Sequence, residues 1–259
     1  MEARSTAWSS RYRFRAPAYL AINDREPLDD ERVRKALAHG LDRARLARHA
    51  LDQPAQGGFI PPSLPGHSHD LAPAYDLDRA RALLVEAGYP DGRGLPELRL
   101  LHVTVGSPGQ PYRQEREAGW QQWHELGIRL RHEWLEWVDG RDSPRVAESD
   151  LFEWAWSTDY PDPDGMLGSA LDGWPIVRDA ETERLITRAR SLRSRDERLA
   201  LFRKADHRLV AEHVWLVPTS YHFSYLAHRP WLEGVWTSPI AISPLSDVVV
   251  RSGSRSGAC

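Results

Sequence analysis

Apolar positions along the chain follow two rhythms, and the rhythms alternate. Val33, Ala36, Leu37, Leu41 and Ala44 recur at steps of three and four, the mark of one buried helical face, with Asp29 as N-cap and an expected end near Leu51. A second face of this kind, Ala80, Leu83, Leu84 and Ala87, follows Asp76 and stops at Gly88 before the turn Pro90-Asp91-Gly92. Shorter apolar and β-branched runs read as strands at 18–23, 98–105, 128–137, 151–157 and 214–226. A helix over 110–126, closed by Gly127, lies between two of them, so the spacing predicts a βαβ crossover with a parallel strand pair. A short helix is expected near 144–147. Asp179 opens a longer helical stretch that breaks at Ser194, where Glu197 three residues on completes a capping-box pattern and predicts two helices.

The segments between these elements are equally informative. Residues 53–74 carry prolines at 54, 61, 62, 65 and 73, which remove backbone donors and exclude a helix. Residues 1–17 are rich in arginine and serine and are expected to lack lasting order, as is the tail 251–259. The expected ordered body is therefore 18–250, an α/β unit with a mixed sheet flanked by helices.

With 259 residues and 41% hydrophobic content, the chain can bury a real core. A formal net charge of −3 leaves no basic excess that would draw it to nucleic acid. Cys259 is the only cysteine, so the chain has no internal disulfide and no cysteine metal cluster. No apolar run approaches the roughly 20 residues that span a bilayer, and Met1 to Arg15 is too polar for an export signal. The expectation is a protein not integral to a membrane, with the cytoplasm left open as its compartment.

The most specific local pattern runs from Phe152 to Gly165: a strand ending in indoles, then an acidic, proline-stiffened loop. Alternation puts Phe152, Trp154 and Trp156 on one side of the strand, and a carboxylate just past its end stands at the mouth of whatever those rings line. Asp159 there suits a ligand ammonium, through a charge-assisted hydrogen bond and a neighbouring indole. The competing reading makes the tryptophans core and the aspartates caps for a helix after Pro163. An EF-hand register fails, because Tyr160 and Leu171 would occupy its essential end positions. His67-Ser68-His69-Asp70 sits in the proline-rich loop without helical spacing and reads as a solvated loop, not a metal site. His207, His213, His222 and His228 show no partner pattern. Without a GxSxG elbow, a phosphate-binding loop or a placed cysteine nucleophile, no enzyme, cofactor or metal is expected.

Several spaced motifs then agree in order with one family. Asn23, Pro27-Leu28-Asp29-Asp30, and Val33-Arg34-Lys35-Ala36-Leu37 through Leu41-Asp42-Arg43 resemble its strand, turn and "VRxAL…DR" helix, and Phe59-Ile60-Pro61-Pro62 resembles its "PP" loop. Tyr75-Asp76 with Leu83-Leu84-Val85-Glu86-Ala87-Gly88-Tyr89-Pro90-Asp91-Gly92 is similar to its "EAGY.DG" helix and turn; Leu126-Gly127-Ile128 precedes Glu136-Trp137; and Trp156 to Pro163 resembles "W.ADYPDP". Over residues 18–236 the chain thus resembles the extracellular solute-binding proteins, family 5, of oligopeptide, dipeptide and nickel importers.

That resemblance implies a periplasmic-binding-protein-like (type II) lobe and the solute-binding role of an ABC-type peptide importer. The partners implied are a peptide or small solute and an ABC permease, in the periplasm or at the cell surface. It implies that Asp159 pairs with a peptide amino terminus and that Trp137 and Trp156 line the pocket; Trp154, on the same strand face as Trp156, and Tyr160, next to Asp159, complete the candidate ligand-binding residues. Some members carry an arginine for a carboxylate in the strand before that aspartate; here Glu153 stands in that stretch. Members are about twice as long, so the expectation is a C-terminal lobe whose N-terminal lobe is supplied by a separate chain or lost. A ligand-sensing or interaction lobe of a cytoplasmic regulatory system is the alternative.

Overall fold

The computed structural model describes residues 8–47, 53–104, 109–136, 143–172, 179–229, 231–238, 241–242 and 245–250. Six strands form the central sheet: β1 (Trp8–Ile22), β2 (Gln53–Pro54), β3 (Leu98–Thr104), β4 (Leu130–Glu136), β5 (Leu151–Ala155) and β6 (Leu216–His228), in the order β2-β6-β1-β5-β3-β4. The sheet is mixed. β3 runs parallel to β4 and to β5, while β1 is antiparallel to both β5 and β6. The link from β3 to β4 is the expected crossover, through helix α4 (Gln110–Trp120) and a 3₁₀ segment that ends at Gly127 in the left-handed region, φ 72°.

β1 starts at Trp8, so the arginine-rich stretch expected to lack order is strand as far as the register with β6 extends, Trp8 opposite His228 and Arg13 opposite Phe223. Tyr12 and Phe14 alternate there with Arg11, Arg13 and Arg15, a period-two pattern that the arginine content obscured. Only residues 18–22 of β1 also pair with β5. The β1/β6 pair from Trp8 to Arg13 is therefore a two-stranded ribbon that reaches beyond the body of the sheet.

The helix expected from Asp29 to Leu51 is two helices, α1 (Glu31–His39) and α2 (Arg43–Ala47), with residues 48–51 outside the described set. Asp30 caps the first by accepting from the Arg32 N–H. The break is set by Asp42, which accepts from the N–H groups of Ala44 and Arg45 to start a new helix, two residues past Gly40, whose Cα packs against a Leu126 methyl. α3 (Leu77–Glu86) follows, capped by Asp76 on the Arg79 N–H. The remaining helices are α5 (Pro144–Glu148), α6 (Asp164–Asp172), α7 (Ala180–Ser191) and α8 (Arg195–His207). The division between α7 and α8 stands as expected, but the Ser194 side chain makes no capping hydrogen bond.

Leu98, Leu100, Leu101 and Val103 of β3 are buried, as befits a strand covered on both faces, and they join a continuous core with Tyr19, Leu20, Trp120, Trp123, Phe152 and Phe202. Arg34, in the "VRxAL" helix, is 3% exposed and belongs to that core. Its guanidinium donates to the carbonyls of His213 (2.7 Å), Leu28 (2.7 Å) and Asp29 (2.9 Å) and lies 3.5 Å over the Trp215 ring. A lysine has no planar fork to reach all three acceptors at once. Arg34→Lys is expected to cost about 1–3 kcal/mol in urea unfolding, the order of one or two buried carbonyls losing their donors.

Candidate ligand-binding site

The parallel strands β3, β4 and β5 all finish at one edge of the sheet, the edge at which open α/β sheets take ligands. A cavity of about 150 Å³ opens there between the strand ends and α4, lined among others by His102, Trp134, Glu153, Trp154, Arg116 and Tyr112. Its floor is a buried polar chain. Glu153 receives hydrogen bonds from Arg116 on one oxygen and, on the other, from His102 Nδ1 at 2.7 Å and Trp120 Nε1 at 3.3 Å. His102 Nε2 lies 2.8 Å from His132 Nδ1, and Trp134 stacks on the His102 ring at 4.3 Å.

These positions follow from strand register. His102 stands opposite Glu153 on β5 and opposite Trp134 on β4, so two neighbours of β3 supply its partners directly. Burial would raise the Glu153 carboxyl, but the Arg116 charge and then the His102 hydrogen bond more than offset it and hold it down at about 2. Because the carboxylate accepts from His102 Nδ1, a neutral His102 must accept at Nε2, which fixes the proton of His132 on Nδ1. Burial first, and then the neighbouring His102, push His132 down to about 4.

Beyond β5 the acidic loop is held by its own side chains. Trp156 is half-buried against the core and donates from Nε1 to the Gly165 carbonyl at 3.1 Å. Thr158 Oγ1 donates to the Tyr160 carbonyl at 2.8 Å, and the Tyr160 hydroxyl donates to Asp164 at 3.0 Å. Burial and then that carboxylate push the Tyr160 hydroxyl up to about 12. Asp162 forms a two-pronged pair with Arg198, at 2.7 Å for one prong, and Asp164 pairs with Arg190 at 2.6 Å. Although burial opposes it, the Arg198 hydrogen bond holds the Asp162 carboxyl below its ordinary value.

Asp159 differs from both. It is exposed at the sheet edge, and among the described residues no side chain or backbone group pairs with its carboxylate. Of the residues singled out from sequence, Asp159 and Tyr160 thus lie in the loop, Trp154 lines the cavity and Trp156 fastens the loop to α6. Trp137 lies outside the described residues. Both readings of the acidic segment hold in part: Asp162 and Asp164 have structural partners, and Asp159 does not.

Sequence reasoning missed His102, His132, Arg116 and Trp134. The signal was present as a single polar residue inside each of two apolar strands, Leu-Leu-His-Val and Leu-Phe-Glu-Trp, since an isolated buried polar group requires a partner. His67 is tied by Nδ1 to the Ile60 carbonyl at 2.6 Å and packs edge-on to His69. Among the described residues no group of three or more histidine, cysteine or acidic side chains is placed to hold a metal, and no helix is long and apolar enough to cross a membrane.

A mixed sheet flanked by helices, in this strand order, is the architecture of a type II periplasmic-binding-protein lobe. The chain belongs to the bacterial extracellular solute-binding proteins, family 5; residues 8–176 match the description "Bacterial extracellular solute-binding proteins, family 5 Middle". It is 30% identical over 245 residues to Di/tripeptide-binding protein 2 of Pseudomonas aeruginosa, a match covering 89% of this chain and 45% of that protein. Heme-binding protein A of Haemophilus influenzae is 25% identical over 244 residues, covering 90% of this chain and 44% of the relative.

Two solved structures share the fold. A dipeptide-binding protein from Pseudoalteromonas sp. SM9913 in complex with Met-Leu superposes with a TM-score of 0.77 at 22% identity, over 96% of this chain and 51% of that one. Clavulanic acid biosynthesis oligopeptide binding protein 2 gives 0.80 at 22% identity, over 94% and 48%. The chain spans about half the length of the curated relatives it matches. Those relatives are binding proteins rather than enzymes.

Proposed function

We propose that this chain binds short peptides by their amino terminus as part of the solute-binding component of an ABC-type peptide importer, and that Asp159 receives the ligand's ammonium. The observation that carries the reading is the contrast within one loop: Asp162 and Asp164 are neutralised by Arg198 and Arg190, while Asp159 stands exposed without a partner among the described residues. A carboxylate left free four residues past Ala155, which is part of the wall of a concave, aromatic-lined cavity, suits a cationic group on a small ligand. The di- and tripeptide-binding relatives support the same ligand class.

Within this reading Trp154 and Tyr160 flank the ligand near its amino end, and Trp156 acts through the loop it anchors. A second lobe closing over the exposed edge would exclude water and strengthen the Asp159 contact.

Isothermal titration with trialanine tests the reading. Asp159→Asn is expected to weaken binding by about 10- to 100-fold, the worth of a hydrogen bond to a charged group, and N-acetylation of the peptide should weaken it similarly. Equal binding by both proteins, and by acetylated and free peptide, would overturn the assignment of Asp159. Heat-silent titrations at millimolar peptide would count against peptide binding by this chain.

A further inference from the structure

We infer that the cavity between α4 and the ends of β3, β4 and β5 is a selective subsite for one apolar ligand side chain, aromatic or branched aliphatic, within the first three residues of the peptide. The inference rests on the proposed amino-terminal anchoring at Asp159 and adds a preference that the anchor alone does not impose. Three observations carry it: size, lining and position.

The volume, about 150 Å³, is that of an apolar cavity able to hold a benzene-sized group. Its walls include Ala18, Leu46, Val103, Gly119 and the rings of Trp134 and Trp154. Polar groups reach it as well, but they are already engaged. Glu153 has both oxygens bonded, His102 both ring nitrogens, and Trp134 donates its N–H to Glu117 at 3.0 Å. Thr104, Tyr112, Glu115, Arg116 and His222 each take part in an interaction within the protein, and Trp154 Nε1 is buried beneath the cavity surface. A polar or charged ligand side chain entering the cavity would lose water and would have to break one of these interactions to find a partner, whereas an apolar side chain loses nothing.

Position sets which part of the ligand arrives. Asp159 lies four residues past Ala155, the last residue of β5 and itself part of the cavity wall, so the chain between them spans at most about 14 Å. The first three residues of an extended peptide held at Asp159 rise about 10 Å, which lies within that reach. The side chain that enters the cavity therefore belongs to the amino-terminal end of the ligand, and selection there does not depend on the length of the peptide beyond it.

The experiment compares trialanine with its three phenylalanine-substituted and three lysine-substituted tripeptides by isothermal titration. One phenylalanine isomer is expected to bind at least about tenfold more tightly than trialanine, and lysine at that position should give no gain. Filling the cavity with Ala155→Phe, or with Thr104→Phe should the first variant fold poorly, is expected to bring the phenylalanine-to-alanine preference to within about twofold of one. All seven peptides binding within about threefold of one another would overturn this subsite and leave the Asp159 anchor standing. Binding of none of them, with Asp159→Asn also without effect, would overturn both. A preference that survives both cavity-filling variants would place the subsite elsewhere and overturn this assignment.

Discussion

Glu153→Ala is expected to destabilise the protein by about 2–4 kcal/mol in urea unfolding at neutral pH, because the buried His102 and Trp120 N–H groups lose their acceptor and the part-buried Arg116 guanidinium loses a carboxylate partner. Glu153 is 6% exposed and accepts from Arg116, His102 and Trp120 at once, so its loss removes one acceptor shared by three donors. The native pKa of about 2 lies below the ordinary 4.5, so the carboxylate adds stability that is fully present above about pH 4.5 and is lost as pH falls through 2. The gap between wild type and variant should therefore narrow in acid. A cost under about 1 kcal/mol would show that the Arg116 charge is solvated by other means.

The second large effect concerns Asp206 on α8, which is fully buried. Its carboxyl accepts from the N–H groups of Phe59 (2.8 Å) and Ile60 (3.4 Å), tying the "PP" loop to the helix, and Tyr221 closes the same loop by donating to the Gly58 carbonyl at 2.7 Å. A Cβ on Gly58 would fall 1.9 Å from a carboxyl oxygen of Asp206, so glycine is required there. Burial pushes the Asp206 carboxyl up to about 7, against the two N–H bonds that would lower it.

Since that value lies above the ordinary 3.8, the contribution to stability is complete below about pH 4 and is lost as pH rises through 7. Relative to Asp206→Asn, wild type is expected to gain roughly 2–3 kcal/mol on going from about pH 8 to about pH 5, from the size of the shift. The comparison with the variant is needed because His132, held down at about 4, makes stability rise with pH over part of the same range. A difference that does not change with pH would show that Asp206 is ionised in the folded protein.

Much of the fold was legible because local chemistry and tertiary structure agree. Asp76 caps α3 as its position suggested, Gly127 ends the crossover segment in the left-handed region, and the alternation of apolar runs gave β3, α4 and β4 in order. The single helix expected over 29–51 is divided at Asp42, whose capping of Ala44 and Arg45 was masked by the apolar spacing that continues through Leu41 and Ala44. The ribbon before Pro17 was missed because arginine content outweighed the period-two alternation at Tyr12 and Phe14. At the site, Asp159 could be singled out from its position past a strand end. The Glu153–His102–His132 chain could not, since its members come from three strands and meet only through register.

The pairing of β1 with β6 also governs how the molecule is made. Leu20 finds its partner in Val217, and between them the ribosome must produce almost every other element. β1, β5, β3 and β4 can assemble first, since all are synthesised by residue 155. Until β6 appears, the fifteen-residue β1 is an open edge, the kind of surface on which nascent chains pair with one another. The late strand thus does more than complete the sheet: it withdraws a long aggregation template from the cell while α7 and α8, already made, stand ready to be packed.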